Sequence, residues 1–169
     1  MITREVAQSP HWRALTCPST VLLLLVLGGL LLGTRWLKLN VQPSVPYGLY
    51  RVVALPTRLE RGMLVLLPPP AVTYPIHAWW IDLLKPIAAL PGDQVCILSA
   101  GLWISGEPYG LVYTYAHGKA LPRLRGCFVV PDGQVFLASK GGRSLDSRYF
   151  WSIAVTDLTA QAVPFWIWR

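Results

Sequence analysis

No charged residue occurs between Arg13 and Arg35, and this uncharged stretch constrains the fold more than any other feature. Its centre, Val21–Gly33, consists of leucine, valine and glycine alone. A helix needs about 20 mostly apolar residues to cross a bilayer, and residues 14–34 supply that length. Trp12 and Trp36 lie at the two ends, where interfacial aromatic residues are common. The sequence therefore predicts one transmembrane helix within an anchor over residues 14–39, between a short segment 1–13 and a domain over residues 40–169.

A cleaved secretory signal is the alternative interpretation of this apolar stretch. The residues that follow Leu32 offer no small-x-small cleavage site, so a retained anchor is favoured. Basic residues flank both ends of the anchor, and the positive-inside rule alone does not decide its orientation. No second hydrophobic stretch of that length follows, which predicts that residues 40–169 lie on one side of the membrane.

From residue 40 onward, apolar runs are short and are separated by proline and glycine. Such a pattern is typical of a mainly β domain, either a sandwich or a barrel. Two hairpins are predicted, one turning at Ser99–Gly101 and one at Pro131–Gly133. Residues 68–82, which contain Trp79 and Trp80, are expected to form an irregular loop. The predicted strands are Leu49–Leu55, Met63–Leu67, Val95–Leu98, Leu102–Ser105, Phe128–Val130, Val135–Ala138 and Val163–Trp168.

The composition argues for a membrane surface rather than for nucleic acid. The 169 residues suffice for one domain and an anchor, 53% of them are hydrophobic, and the net charge is +7. The basic residues are scattered, without the clustered run that nucleic-acid binding favours. Attraction to anionic lipid headgroups explains the charge more simply.

The three cysteines do not suggest a metal site, because no Cys/His spacing matches a zinc motif. Cys17 falls within the predicted anchor. Cys96 and Cys127 lie near predicted strands, and the residues alone leave open a disulfide in an oxidising compartment or two buried thiols.

Ser44 is the candidate nucleophile. It stands between Pro43 and Pro46, with Gly48 just beyond, and the prolines stiffen this turn. A serine hydroxyl needs a neighbouring base to attack a carbonyl. Taken alone, a serine between prolines is more often an ordinary loop residue.

Lys85 is the candidate base. Lysine accepts a proton only when neutral, so its pKa of about 10.4 must fall toward the working pH. Burial lowers it, and the neighbours of Lys85 from Ile81 to Ala89 are mostly apolar. The alternative is a lysine that extends its amine into solvent from a strand edge.

A third polar segment, Gly141–Trp151, carries Ser144, Asp146 and Arg148. In a strand the i, i+2 spacing places all three side chains on one face. Asp146 and Arg148 are then expected to form an ion pair, and Ser144 to donate a hydrogen bond to a neutral lysine amine. A polar loop with an incidental ion pair of little energetic value is the alternative.

Three segments together, in this order and behind an N-terminal anchor, resemble the type I signal peptidase superfamily. They are Ser-Val-Pro-Tyr-Gly-Leu-Tyr at Ser44, Lys-Pro-Ile-Ala-Ala-Leu-Pro-Gly-Asp at Lys85, and Ser-Leu-Asp-Ser-Arg-Tyr-Phe at Ser144. The first segment and the ending Ala-Val-Pro-Phe-Trp-Ile-Trp are more similar to the TraF-type peptidases of conjugation systems. The resemblance covers residues 40 to the C-terminus.

This resemblance implies a Ser–Lys serine endopeptidase with Ser44 as nucleophile, Lys85 as general base and Ser144 as the hydroxyl that orients the lysine. It implies a structural pair of Asp146 with Arg148, no metal and no cofactor. It also implies a signal-peptidase-like β domain in the periplasm, anchored in the bacterial inner membrane with its N-terminus in the cytoplasm. That oxidising compartment favours a Cys96–Cys127 disulfide.

Two positions depart from the signal peptidase pattern. Gln42 stands where a hydroxyl residue often serves the oxyanion hole, so its amide N–H is a candidate substitute. Lys140-Gly141-Gly142-Arg143 replaces the usual Gly-Asp-Asn-Arg before Ser144. The second departure favours the conjugation branch.

The predicted function is therefore processing of a pilin-type or signal-bearing precursor during conjugative transfer, by cleavage or by cyclisation. The membrane, the precursor and components of a transfer apparatus are the expected partners, and nucleic acid is not. A general type I signal peptidase and a non-catalytic anchored assembly factor are the alternatives. A Ser-His-Asp hydrolase using His77 or His117 with Asp146 is disfavoured, because neither histidine lies in a recognisable motif.

Overall fold

The structure is a computed structural model that describes residues 18–73, 81–99, 101–116, 118–140 and 143–168. The predictions for residues 1–13 and for Trp12, Cys17, His77, Trp79, Trp80 and His117 lie outside these residues. By internal contacts the chain divides into two units, residues 1–36 and residues 37–169. The predicted domain boundaries stay predictions.

The first unit contains one described helix, α1 (Pro18–Trp36). Its apolar side chains from Val21 to Leu27 are all exposed. Within the described residues, no helix combines the length and hydrophobicity that a bilayer crossing requires.

The second unit is built from strands, which confirms the prediction of a mainly β domain. Two short 3-10 helices, Ala71–Thr73 and Val155–Asp157, interrupt the strands. The strands are β1 (Leu37–Asn40), β2 (Gly48–Val53), β3 (Leu64–Leu67), β4 (Leu83–Ala89), β5 (Gln94–Ile97), β6 (Gly101–Ile104), β7 (Glu107–Leu111), β8 (Tyr115–Ala116), β9 (Lys119–Ala120), β10 (Gly126–Val129), β11 (Gln134–Leu137), β12 (Ile153–Ala154) and β13 (Ala160–Ile167).

The larger sheet is antiparallel throughout, with the strand order β1-β2-β13-β3-β4-β11-β12. Strand β4 lies between β3 and β11, and nearly all its side chains are buried. A strand with both faces covered reads as a continuous apolar run. This explains why sequence periodicity did not predict β4 as a strand.

A smaller sheet, β10-β5-β6-β7, packs its inner face against residues of β4 and β11 in one apolar cluster that includes Val95, Ile97, Leu102, Ala88 and Phe136. A two-stranded ribbon, β8-β9, is separate from both sheets. Burial of these apolar side chains is the main favourable term that holds the second unit together.

One of the two predicted hairpins is correct. Strands β5 and β6 are antiparallel neighbours, with Ile97 opposite Leu102. The second is wrong, because β10 pairs with β5 whereas β11 pairs with β4 and β12. The turn at Pro131–Gly133 reverses the chain but carries it from the smaller sheet to the larger one.

Cys96 of β5 and Cys127 of β10 are direct cross-strand neighbours. The structure joins them in a disulfide with a Cα–Cα distance of 4.0 Å. The bond ties the edge strand β10 to the rest of the smaller sheet.

Candidate active site

Lys85 lies in the middle of β4, opposite Val65 of β3. Only 1% of its surface is exposed, although lysine is almost never buried unless it is paired. Leu83, Leu84 and Ile87 are buried beside it in the same strand. Lys85 thus lies in a buried, mostly apolar part of the sheet.

Burial is the main cause that lowers the pKa of Lys85 from 10.5 to about 8. The carboxylate of Asp146 opposes this shift, and the guanidinium of Arg148 adds to it. At a pKa near 8, a substantial fraction of the amine is neutral at mildly alkaline pH. Lys85 therefore meets the chemical requirement for a general base.

The Lys85 amine donates a hydrogen bond to the Ser144 hydroxyl, with an Nζ–Oγ distance of 3.2 Å. Ser144 is itself buried. Its segment is a turn rather than a strand, so the predicted strand geometry of residues 144–148 is wrong. The turn nevertheless brings Ser144 onto the lysine.

The Ser144 turn is held by a buried ion pair between Asp146 and Arg148. Arg148 donates from Nε to Oδ1 at 2.7 Å and from Nη2 to Oδ2 at 3.1 Å. The two residues are 0% and 1% exposed, so this is not the incidental surface pair of the alternative interpretation. The carboxylate also accepts from the backbone N–H of Ser139, and Arg148 donates to the Ser139 carbonyl. Such bidentate, fully satisfied pairs fix geometry.

The same turn also holds one wall of a cleft. Arg148 donates to the Leu111 carbonyl at the end of β7, and the Tyr113 N–H donates to the hydroxyl of Tyr149 at 3.0 Å. Neither contact was predicted from the sequence. Each joins residues more than 30 positions apart, and no local pattern marks such a contact.

Ser44 lies in the loop of residues 41–47 between β1 and β2. Its hydroxyl oxygen is buried and has no hydrogen-bond partner among the described atoms. An unsatisfied buried hydroxyl costs about 1–3 kcal/mol, so it calls for an explanation. One such explanation is that Ser44 is a nucleophile whose hydroxyl reacts with a bound substrate.

The loop and the turn meet at a cleft of about 380 Å³, which brings together Ser44, Lys85 and Ser144. The predicted oxyanion residue Gln42 also lines this cleft. Aromatic and aliphatic side chains form most of the remaining wall: Tyr113, Tyr115, Leu121, Leu145 and Tyr149. The cleft offers an uncharged hydroxyl, a buried amine and apolar surface for an extended chain.

In the part of the chain that the structure describes, no three His, Cys, Asp or Glu side chains lie close enough together to be metal ligands. Asp146, the third member of the disfavoured Ser-His-Asp arrangement, is bound to Arg148.

Comparison with known proteins is consistent with this geometry. A family model described as "Signal peptidase, peptidase S26" matches residues 10–167. The chain belongs to this peptidase family. The match includes both the Ser44 loop and the Ser144 turn, and it confirms the resemblance predicted from the sequence.

Two relatives carry the same name, conjugal transfer protein TraF. The protein from Agrobacterium fabrum is 35% identical over 75% of this chain and 80% of its own length. The protein from Agrobacterium tumefaciens has the same identity and the same coverage. The chain is thus also similar to the TraF branch, as its first motif and its C-terminal residues indicated.

Among solved structures, a signal peptidase I from Enterococcus faecalis is 19% identical, with a TM-score of 0.40. The likeness covers 62% of this chain and 97% of that one.

Proposed function

We propose that this chain is a membrane-anchored serine endopeptidase in which Ser44 is the nucleophile and Lys85 the general base. The observation that carries the proposal is the burial of the Lys85 amine, with a pKa near 8, at a cleft that Ser44 also lines. A buried lysine without a carboxylate bound to it is costly for a fold. Catalysis explains why this one is present.

In the first step, neutral Lys85 takes the proton of the Ser44 hydroxyl as Oγ attacks the scissile carbonyl. The bond from Oγ to the carbonyl carbon forms, and the carbonyl oxygen becomes an oxyanion. The backbone N–H of Ser44 and the side-chain amide of Gln42 are the proposed donors to that oxyanion. The lysine ammonium then gives its proton to the leaving amine as the C–N bond breaks.

The acyl-enzyme on Ser44 has two possible fates. Water, deprotonated by Lys85, releases a carboxylate and gives cleavage. An N-terminal amine of the same substrate gives a new peptide bond and a circular product. In both routes Lys85 takes a proton from the attacking water or amine and returns it to Ser44 Oγ as the ester bond breaks, so the same residues serve either outcome.

In this mechanism the orientation of the Lys85 amine depends on Ser144, Asp146 and Arg148. The Ser144 hydroxyl fixes the direction of the amine, and its partner turn is held by the buried ion pair. Rigid support of this kind is what a reacting group needs to remain within reach of its partner.

A pilin-type or signal-bearing precursor of conjugative transfer is the proposed substrate, and the similarity to two conjugal transfer proteins supports this choice. The apolar wall of the cleft suits an extended peptide with small or apolar side chains. Components of the transfer apparatus are proposed partners.

The proposed location is the inner membrane, with a single N-terminal anchor and the β domain in the periplasm. The uncharged stretch of residues 14–34 supports the anchor, and it begins before the described part of α1. Exposed apolar residues of the Ser44 loop and of the strands next to it support a position at a lipid surface: Leu39, Val41, Tyr47, Trp166 and Trp168. The Cys96–Cys127 disulfide supports an oxidising compartment.

The proposal is tested by co-expressing the chain with pilin precursors from conjugative plasmids and measuring product mass. Cleavage gives two fragments, whereas cyclisation gives a product one water lighter than the corresponding linear fragment. Ser44→Ala and Lys85→Ala must abolish either product. If both variants still support conjugation, the chain is an assembly factor without catalysis. Rescue of a strain depleted of its own signal peptidase indicates a general signal peptidase instead.

Membrane placement has its own test. Alkaline carbonate extraction distinguishes an integral protein from a surface-bound one. A phosphatase fusion after residue 169, active only in the periplasm, reports on which side of the membrane the β domain lies. An inactive fusion with normal expression would exclude the periplasmic location.

A further inference from the structure

We infer that Asn40 is a positioning residue for the nucleophile: its side-chain amide holds both ends of the Ser44 loop. Asn40 is the sole asparagine in the sequence and ends β1, and only 6% of its surface is exposed. The inference deepens the proposed function and depends on Ser44 being the nucleophile. It concerns a residue that does not touch the substrate.

Four hydrogen bonds converge on this one side chain. The Nδ2 group of Asn40 donates to the carbonyls of Gln42 at 2.8 Å, Val45 at 3.0 Å and Pro46 at 3.1 Å. The Oδ1 atom accepts from the Gln42 N–H at 3.3 Å. The amide therefore bridges residue 42, before Ser44, and residues 45 and 46, after it.

The composition of the Ser44 loop explains why an amide side chain suits position 40. Pro43 and Pro46 have no backbone N–H, so the loop is short of internal donors for its own carbonyls. Three carbonyl oxygens that point at one place need a donor group without competing negative charge. An NH₂ group provides two N–H bonds, so one of them is shared between two of the three carbonyls, whereas a carboxylate of the same shape would repel all three oxygens. The same repulsion fixes which amide atom faces the carbonyls.

Two neighbours fix the far end of the loop. The buried Tyr50 hydroxyl donates to the Pro46 carbonyl at 2.6 Å. At Gly48, an added Cβ would lie 2.4 Å from the Trp166 carbonyl oxygen, so β2 begins where only glycine fits against β13. The loop is thus attached at its start and at its end, and Ser44 has little freedom to move away from the cleft.

The inference predicts a specific kinetic defect. If the Asn40 amide holds Ser44 in place, loss of its donors moves the hydroxyl without changing the surroundings of Lys85. Acylation should then slow, while the pH at which the base becomes neutral should stay the same. A displacement of about 1 Å is enough to slow a reaction by about 100-fold.

The experiment measures acylation of the full-length protein in detergent with a p-nitrophenyl ester as the acyl donor. The burst of p-nitrophenolate and the mass of the acyl-enzyme are followed from pH 6 to 10, and the Ser44→Ala variant gives the background. We expect Asn40→Asp to lower the acylation rate constant at least about tenfold with an unchanged pH midpoint. Gln94→Glu is the matched control, because it makes the same amide-to-carboxylate change at the exposed first residue of β5, and it should behave as wild type.

Each other outcome has a definite meaning. A wild-type rate for folded Asn40→Asp overturns the inference, as does a shifted pH midpoint, which would place the effect on Lys85. If Asn40→Asp does not fold, Asn40→Ala decides the question, since it removes all four side-chain bonds without adding a charge. A folded Asn40→Ala variant with wild-type acylation overturns the inference. Absence of Ser44-dependent acylation in the wild-type protein refutes the proposed function instead, which separates the two failures.

Discussion

The Lys85 amine and the Ser144 hydroxyl are 3.2 Å apart in space and 59 residues apart in sequence. One lies on a buried strand and the other on a turn that an ion pair holds. This contact connects the strand that carries the proposed base with the segment that carries the proposed orienting hydroxyl.

The pH dependence of activity should follow the ionisation of Lys85. Its pKa is lowered to about 8, and only the neutral amine accepts a proton. We expect kcat/KM to fall about tenfold per pH unit below 8 and to level off above it. Lys85→Arg should lose about 10²–10⁴-fold in kcat, because a guanidinium stays protonated. A pH-independent rate between pH 6 and 9 would exclude this lysine as the base.

The ionisation of Lys85 should also make the stability of the fold depend on pH. Lys85→Met, which removes the amine, should therefore change the stability most at neutral pH. The folded pKa lies below the unfolded one, so the unfolded chain binds more protons between about pH 8 and 10.5. Wild-type stability therefore rises with pH through that window. At pH 7 the cost of the buried amine is about 3 kcal/mol. We expect Lys85→Met to be the more stable protein at pH 7, with an advantage that shrinks toward pH 10.5, as measured by urea unfolding.

Loss of the Ser144 hydroxyl should impair catalysis more than folding. Ser144→Ala leaves the Lys85 amine without its acceptor, and we expect kcat to fall about tenfold because the base is less well oriented. Ser139→Ala is the matched control: this nearby serine is equally buried, and its hydroxyl has no partner among the described atoms. Equal kinetics for the two variants would argue against an orienting role.

Two ion pairs in the β domain should differ greatly in how much they contribute to the free energy of unfolding. Asp146→Ala removes one partner of a buried pair and should destabilise the fold by about 3–5 kcal/mol. Arg61→Ala breaks the pair with Asp93, in which the arginine is largely exposed, and should cost no more than about 1 kcal/mol. Thermal unfolding of both variants measures the contrast. Similar losses would mean that the Asp146–Arg148 pair does not hold the turn.

The disulfide should stabilise the fold without affecting the chemistry. Cys96 and Cys127 are 31 residues apart, and closing a loop of that length contributes about 3–4 kcal/mol. We expect reduction, or the double change to serine, to lower the melting temperature. Neither cysteine lines the cleft, so kcat at 25 °C should be unchanged. A parallel loss of activity in protein that remains folded would contradict this separation.

Much of the β domain was predictable because its signals are local. The hairpin of β5 and β6 has a turn sequence and alternating flanks, and it folds as the pattern indicated. The hairpin expected around Pro131–Gly133 does not form, since a turn signal specifies a reversal but not the strand that will be the partner. The sequence of β4 shows no alternation of apolar and polar residues, because both faces of this strand are covered.

In the candidate site, too, some residues could be identified from the sequence and others could not. Ser44, Lys85 and Ser144 were chosen from residue chemistry and family motifs, and they line one cleft. Asn40, Tyr50 and Tyr149 were not chosen. Their side chains bind backbone groups of a loop or of a distant segment, and such bonds have no sequence period.

By itself, the sequence determined the mainly β character of residues 40–169, the family, and the presence of a lysine among apolar neighbours. Composition, turn residues and motifs all lie within short stretches of sequence, so they can be recognised without knowing which segments come into contact. Only the tertiary structure decided that this lysine is buried, that a turn rather than a strand presents Ser144, and that one asparagine holds the serine loop. These features depend on which strands pack over the amine and which carbonyls converge, and they arise only when segments remote in sequence come into contact.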